Sequence, residues 1–374
     1  MTSRALFGVT GRRIAGQHLR TILFFMLVLL IVAFAIDITE NLDEIRTASI
    51  RRDTSLGTLL FPYLGLRGVD VVTRLLPMAC LVGSFTTELL RHQRLENVIL
   101  QAAGASNAFL MAAILIAGLG LGTVQTVLEG WARPKAVFAQ VELGLGTYAR
   151  RFGGQDDRAR WFLDDDRALR AQVTKSPPIL RDVLLFEGVS ADHLSRIIAA
   201  ETATPGKDPG TWILHGVTEW RARGSGAMAA EKSGEMNLSF PLTPARVRYL
   251  GVGGFYIPQE NLREITSLSG QPGQANAETA VARRWTAFLL PVVFSLLGAS
   301  LARSGLSGRL LAPFRLIGLG VLGYVSLVLV KVFWALGEHG VIGPFTACLI
   351  PLAIAAALVT LLQLRLSGRF ARAP

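Results

Sequence analysis

Few residues in this chain are of a type and spacing that could do chemistry. Arg91-His92-Gln93-Arg94 opens a segment in which Leu95, Val98, Ile99 and Ala102 recur at helical spacing, with Gly104 placed where a helix can end. Such a helix has one apolar face, with Glu96 on its polar side. It reads either as a short surface helix at a membrane interface or as a lever that docks into a groove of a soluble partner. Lys331 lies among Leu329, Val330, Val332 and Phe333. A cation inside an apolar run is costly in lipid, so it is a functional-site candidate by default, with snorkelling to the interface as the alternative.

Catalysis finds no such foothold. A phosphate-cradling GxxxxGK[ST] loop is missing, since Gly206-Lys207 runs into Asp208 with no apolar strand leading tightly into it. HExxH and GxSxG are missing too, no paired carboxylates stand in a plausible cleft, and the five histidines are scattered. Cys80 and Cys348 sit in apolar stretches and read as small hydrophobes; no Cys/His cluster suggests zinc. The expectation is a protein that is not an enzyme and binds no metal or cofactor of its own.

The elements that carry these residues are membrane elements. The 374 residues are 51% hydrophobic and 17% charged, with mean hydropathy +0.43. That composition excludes a disordered chain and argues against a single soluble domain. A spanning helix needs about 20 mostly apolar residues, and six candidates emerge at 21–38, 69–90, 108–128, 285–302, 316–336 and 341–364. The second is the least secure, because Asp70, Arg74 and Glu88 confine its uncharged centre to 75–87. Gly118 and Gly122 in the third fit close helix packing in lipid rather than a dinucleotide loop. The lead from Arg4 to Arg20 reads as an interfacial amphipathic helix. Ala33-Phe34-Ala35 mimics a secretory cleavage site, but the basic lead is long for a signal peptide.

The formal charge of +11 does not make a nucleic-acid face. Residues 131–284 hold 20 basic and 17 acidic side chains, and the excess lies among the hydrophobic segments, 18 against 10. With the N-terminus cytoplasmic, Arg4, Arg12, Arg13, Arg20, Arg91, Arg94, Arg303, Arg309, Arg315, Arg365, Arg369 and Arg372 fall inside. Arg46, Arg51, Arg52, Arg67, Arg74 and Lys331 fall outside. Both termini are then inside, and the 131–284 insert, by its position between the third and fourth spans, is outside.

That insert reads as short strands near 161–163, 168–173, 183–186, 194–200, 211–220 and 236–242, separated by Gly/Pro/Asp/Ser turns, with no convincing helix before Pro258. An antiparallel sandwich or jellyroll-like sheet is expected. Residues 211–220 carry Trp212 and Leu214 on one face and Ile213 and Val217 on the other. Either a partner or lipid covers the second face, or one apolar residue stands exposed. Trp212 and Trp220 are the candidate lipid contacts of this strand.

At this point the chain resembles the LptF/LptG permeases of the lipopolysaccharide-export ABC transporter. The family's coupling segment reads roughly SELVALRAAGVS, where this chain has LENVILQAAGAS at 95–106. Residues 76–83, LPMACLVG, look like its second-span motif, and 340–351, GVIGPFTACLIP, like the turn into its last span. The order of three spans, periplasmic β-jellyroll and three spans is also the family's. The loop after span one and the 160–166 hairpin look more like LptG than LptF. Leu95 stands for a usual Ser, Asn97 for a Leu and Gln101 for an Arg, and Asp37 lies where members often have a basic residue.

The resemblance implies a membrane α-helical bundle of six transmembrane helices, with a periplasmic antiparallel β-jellyroll-like domain between helices 3 and 4. Its parts would be 1–130, with a coupling loop at 91–107, then 131–284, then 285–374. It implies an inner-membrane permease subunit, LptG-like or its LptF-like paralogue, paired with a second permease over an LptB-like ATPase dimer that uses the ATP and Mg. Lipopolysaccharide would pass to LptC-like and LptA-like partners. Leu95, Glu96, Val98, Ile99, Gln101, Ala102 and Gly104 would carry the ATPase coupling. Lys331 would meet a lipid phosphate, while Arg133, Lys135, Arg283 and Arg284 would guide phosphate or act as solvated anchors. A secondary transporter built from inverted repeats, or a membrane-anchored periplasmic assembly protein, is the alternative from another class.

Overall fold

The computed structural model describes residues 8–153, 156–189, 194–222, 228–270, 273–306 and 313–367. Two compact units form, one from Met1–Tyr148 with Ala282–Pro374 and one from Ala149–Val281. The middle unit thus begins at 149 rather than 131, because 131–148 fold with the helices.

The helical unit opens with α1, Val9–Arg51. Its described N-terminal turns are not a separate interfacial helix: Ile14 packs against Phe109 and Leu110, and His18 is buried. Arg4 lies outside the described residues, as do Arg309, Arg369 and Arg372. Helix α2, Leu56–Gln93, is capped by the Ser55 hydroxyl and contains Pro62 and Pro77. Pro77 has no N–H to give the carbonyl four residues back. That carbonyl, on Thr73, accepts instead from Gln125 Nε2 at 3.0 Å. Next come the short α3, Glu96–Ala102, and α4, Asn107–Val127, capped by Ser106. A π turn, Leu128–Ala132, leads into α5, Arg133–Leu143. Pro134 again withholds a donor, and the helix widens just before it. Helix α6, Gly146–Phe152, follows.

After the sheet come α7, Pro244–Arg248, α8, Gln259–Thr266, and α9, Gln274–Thr286, which bends by 60° into α10, Leu289–Gly305. Helices α11, Pro313–Glu338, and α12, Pro344–Leu366, complete the chain. Five helices of the described residues are long and apolar enough to cross a membrane, or six if the bent α9–α10 pair is one span. The apolar windows of the sequence underestimate these helices, because polar turns continue them at both ends.

Where α4 meets α10, both glycines singled out above sit at backbone contact. A Cβ on Gly118 would lie 3.0 Å from Val292 Cα, and one on Gly122 would lie 2.5 Å from the Phe288 carbonyl oxygen. Backbone cannot yield as a side-chain tip can, so Gly122→Leu is expected to separate the two helices. Size-exclusion chromatography of the detergent-solubilised protein would then give aggregate in place of a single peak. A monodisperse Gly122→Leu peak of wild-type stability would refute the close packing.

In the middle unit six strands, β1 Asp156–Asp164, β2 Arg167–Lys175, β3 Pro178–Glu187, β4 Arg196–Pro205, β5 Thr211–Ala222 and β6 Met228–Ser239, form one antiparallel sheet. Each strand pairs with the next in sequence, so among the described residues the sheet is a meander. The crossovers of a jellyroll are not part of it. Its core includes Phe162, Leu169, Leu185, Trp212, Leu214 and Phe240. The expected two-faced pattern of β5 is resolved at Gly216, which takes φ +67° while the pairing of β5 with β4 and β6 keeps its register. Past Gly216 the burial alternation shifts by one, so Val217 is buried in the same core as Trp212 and Leu214 rather than facing away. The Glu219 carboxylate, also buried, is held below its usual range by the hydrogen bond from Arg196 Nε at 2.7 Å. No helix was expected between 131 and Pro258, yet α5, α6 and α7 lie there; α6 and α7 are too short to show a period.

Candidate functional site

Helix α3 hangs from the end of α2 by a two-residue turn. Leu95 takes a left-handed conformation there, φ +57°, which costs a non-glycine residue about 1–2 kcal/mol. Gly104 closes the helix at φ +84°, and the Gly104 and Ala105 amides donate to the carbonyls of Gln101 and Leu100. Between these ends Leu100 packs on the cluster of Ile14, Phe109 and Leu110, and the other apolar side chains point away from the bundle. Leu95, Val98 and Ile99 are 48%, 53% and 63% exposed, and Gln101, Ala102 and Gly104 are exposed with them. A seven-residue helix that leaves its apolar face in the open fits docking to a partner better than packing on its own chain.

Glu96 is tied inward instead. It accepts from Gln17 Nε2 at 3.2 Å and lies 3.5 Å from Arg91 Nε. A cavity of about 320 Å³ opens beside it, lined by Val9, Arg13, Gln17, Arg91, Glu96 and Ile99 among others. Asn97 is the one buried residue of α3, and its Nδ2 donates to Glu88 Oε2 at 3.0 Å. Glu88 in turn receives Arg91 Nη1 at 3.0 Å, with His18 Nε2 at 3.3 Å and Arg303 Nε at 3.7 Å. Sequence reasoning treated Glu88 only as a flaw in span two. Its charge inside an apolar helix was the signal, but the partners that explain it come from α1, α3 and α10.

A second polar cluster gathers around Asp37, Asp70 and Glu129. Asp37 accepts from Tyr63 Oη at 2.6 Å and Arg67 Nε at 2.8 Å. Asp70 accepts from Arg133 Nε at 2.8 Å, Tyr148 Oη at 2.6 Å and Arg74 Nε at 3.1 Å. Glu129, on the π turn, accepts from Arg133 Nη1 at 3.1 Å and Arg283 Nη2 at 2.9 Å. Arg283 also donates to Glu338 at 3.1 Å and lies over the Trp334 ring, 3.9 Å from its centre. Arg284 is buried and adds its charge at Glu129.

These distances change the expectation for three arginines. Arg133, Arg283 and Arg284 are neither solvated anchors nor open phosphate guides, because all three are buried and the first two are bonded to carboxylates. The charge of Asp37 is likewise matched within the chain. Lys135 differs: it is exposed, with Nζ 4.4 Å above the Trp131 ring. Trp212 is fully enclosed and its indole N–H donates to the Leu242 carbonyl at 2.8 Å, so it serves the sheet's core; Trp220 is half-buried. Lys331 is exposed on α11 beside the exposed Val328 and Val332, and among the described residues no hydrogen bond or ion pair reaches it. The residues expected to carry ATPase coupling thus stand together on α3 and its two ends, while Lys331 stands apart on another helix surface.

No curated protein matches this chain. A family model described as lipopolysaccharide export system permease LptF/LptG matches residues 12–365, which takes in α1 through the last turn of α12 and every residue of both polar clusters. Members of that family are transport permeases of the inner membrane rather than catalysts. With the membrane-compatible helices, the antiparallel sheet in the middle and that match along nearly its whole length, the chain belongs to the LptF/LptG family of lipopolysaccharide-export permeases.

Proposed function

We propose that the chain is the LptG-like permease subunit of the lipopolysaccharide exporter, paired with an LptF-like permease over an LptB-like ATPase dimer. The carrying observation is the outward apolar face of α3. On this reading Leu95, Val98, Ile99 and Ala102 enter a groove of the ATPase, with Glu96, Gln101 and Gly104 shaping the contact. Both termini lie in the cytoplasm, and the sheet unit lies in the periplasm, where it delivers lipid to LptC-like and LptA-like proteins. ATP and Mg are bound by the ATPase, not by this chain. Coupling requires that the ATPase hold α3 differently in its nucleotide states, since a contact equal in both shifts nothing.

The test is reconstitution. Vesicles holding this chain, its companion permease and the ATPase are expected to release lipopolysaccharide to a soluble periplasmic acceptor only with ATP. Release driven by an ion gradient with ATP depleted would overturn the proposal in favour of a secondary transporter.

Lys331 supplies the lipid contact of this reading. An ammonium without a partner among the described residues, on an apolar helix surface, is suited to a lipid phosphate. Lys331→Glu is expected to lower lipopolysaccharide release about tenfold or more, and Lys331→Arg to retain it, because reversing the charge turns attraction into repulsion. Equal release from the wild type and Lys331→Glu would leave Lys331 as a snorkelling residue only.

A further inference from the structure

Docking alone does not explain how a push on α3 reaches the spans. The exposed side of the helix faces the partner, so force must leave through its other side, and there Asn97 is the single buried residue. Its amide reaches Glu88, a carboxylate with side-chain exposure of 1% whose oxygens also face His18 of α1, Arg91 of α2 and Arg303 of α10. One acceptor thereby joins the lever to three helices. Glu88 cannot drift from this position, because its charge is buried and two guanidiniums, Arg91 and Arg303, surround it together with the His18 ring.

We propose that the Asn97–Glu88 hydrogen bond is the tether that transmits movement of α3 into α1, α2 and α10, with Asn97 and Glu88 as positioning residues of the transport cycle. A hydrogen bond to a buried carboxylate is directional and short-ranged, and therefore stiffer in register than an apolar contact at the same place. The proposal rests on the ATPase docking on α3 and adds what happens behind that docking surface.

The test uses the complete complex of this chain, its companion permease and the ATPase in vesicles containing lipopolysaccharide. The quantity read is lipid released per ATP hydrolysed. Asn97→Ala changes no charge and leaves the exposed face of α3 intact. The ATPase is expected to stay bound and hydrolysing, while lipid per ATP falls roughly tenfold, the effect of one hydrogen bond to a charged group. Asn97→Asp, equal in size but without the donor, is expected to fall at least as far.

Glu88→Leu removes the acceptor altogether, so adding Asn97→Ala to it is expected to cost nothing more than Glu88→Leu alone. If Glu88→Leu does not fold, the two Asn97 variants decide alone. An unchanged ratio in Asn97→Ala, or a loss in Asn97→Ala that Asn97→Asp does not share, overturns the tether; so does a double variant showing the product of two independent losses. None of these outcomes touches the docking itself, which fails separately if charges placed on Val98 and Ile99 leave the ATPase bound.

Discussion

Val98→Asp with Ile99→Asp is expected to release the ATPase from the permease while leaving the permease folded. Both side chains are more than half exposed, so neither substitution opens a cavity or strands a charge inside the chain. In the complex each apolar side chain contributes about 1.5–3 kcal/mol when fully buried. Losing two of them lowers affinity by about two to four powers of ten, since each 1.4 kcal/mol is tenfold. Burying carboxylates in their place adds a further penalty. Co-purification from detergent, with the solubilised permease still eluting as a single peak, is the measurement. An ATPase that co-purifies undiminished with the double variant would move the docking surface elsewhere on the chain. Glu96→Ala is expected to be milder for binding, because Glu96 faces Gln17 and Arg91 of its own chain, and to act instead on the ratio of transport to hydrolysis.

The sequence disclosed elements whose signal is local. Hydropathy finds the membrane-compatible helices because burial in lipid acts residue by residue along one segment. It misses their ends: α1 continues through Glu40, Asp43 and Arg46, polar residues that a helix accommodates once it leaves the apolar layer. The apolar face of α3 was legible because 95, 98, 99 and 102 repeat at helical spacing, and Gly118 and Gly122 because small residues four apart mark a close approach. The ion clusters were not legible. Asp70 meets Arg133 across 63 positions and Glu129 meets Arg283 across 154. Nothing local marks such pairs, so Arg133, Arg283 and Arg284 looked like surface charges flanking an insert. The face assignment in β5 failed for a related reason: the burial alternation shifts by one at Gly216, and a single glycine does not declare such a shift in sequence.

Glu129→Leu is expected to destabilise the helical unit by about 3–5 kcal/mol, the usual cost of removing one partner from a buried ion pair. Glu129 is buried and accepts from Arg133 and Arg283, so its loss leaves two guanidiniums sharing Asp70 and Glu338, with Arg284 adding a third positive charge close by. The damage comes from the stranded cations rather than from the missing carboxylate. Glu129→Leu with Arg283→Met is therefore expected to recover a large part of the loss, because an apolar pair of similar volume needs no desolvation of charge. Thermal denaturation of the detergent-solubilised permease ranks the three proteins, with the single variant lowest and the double between it and the wild type. A single variant that melts with the wild type would mean that these arginines are solvated after all, returning them to the phosphate-guiding role their burial now denies them.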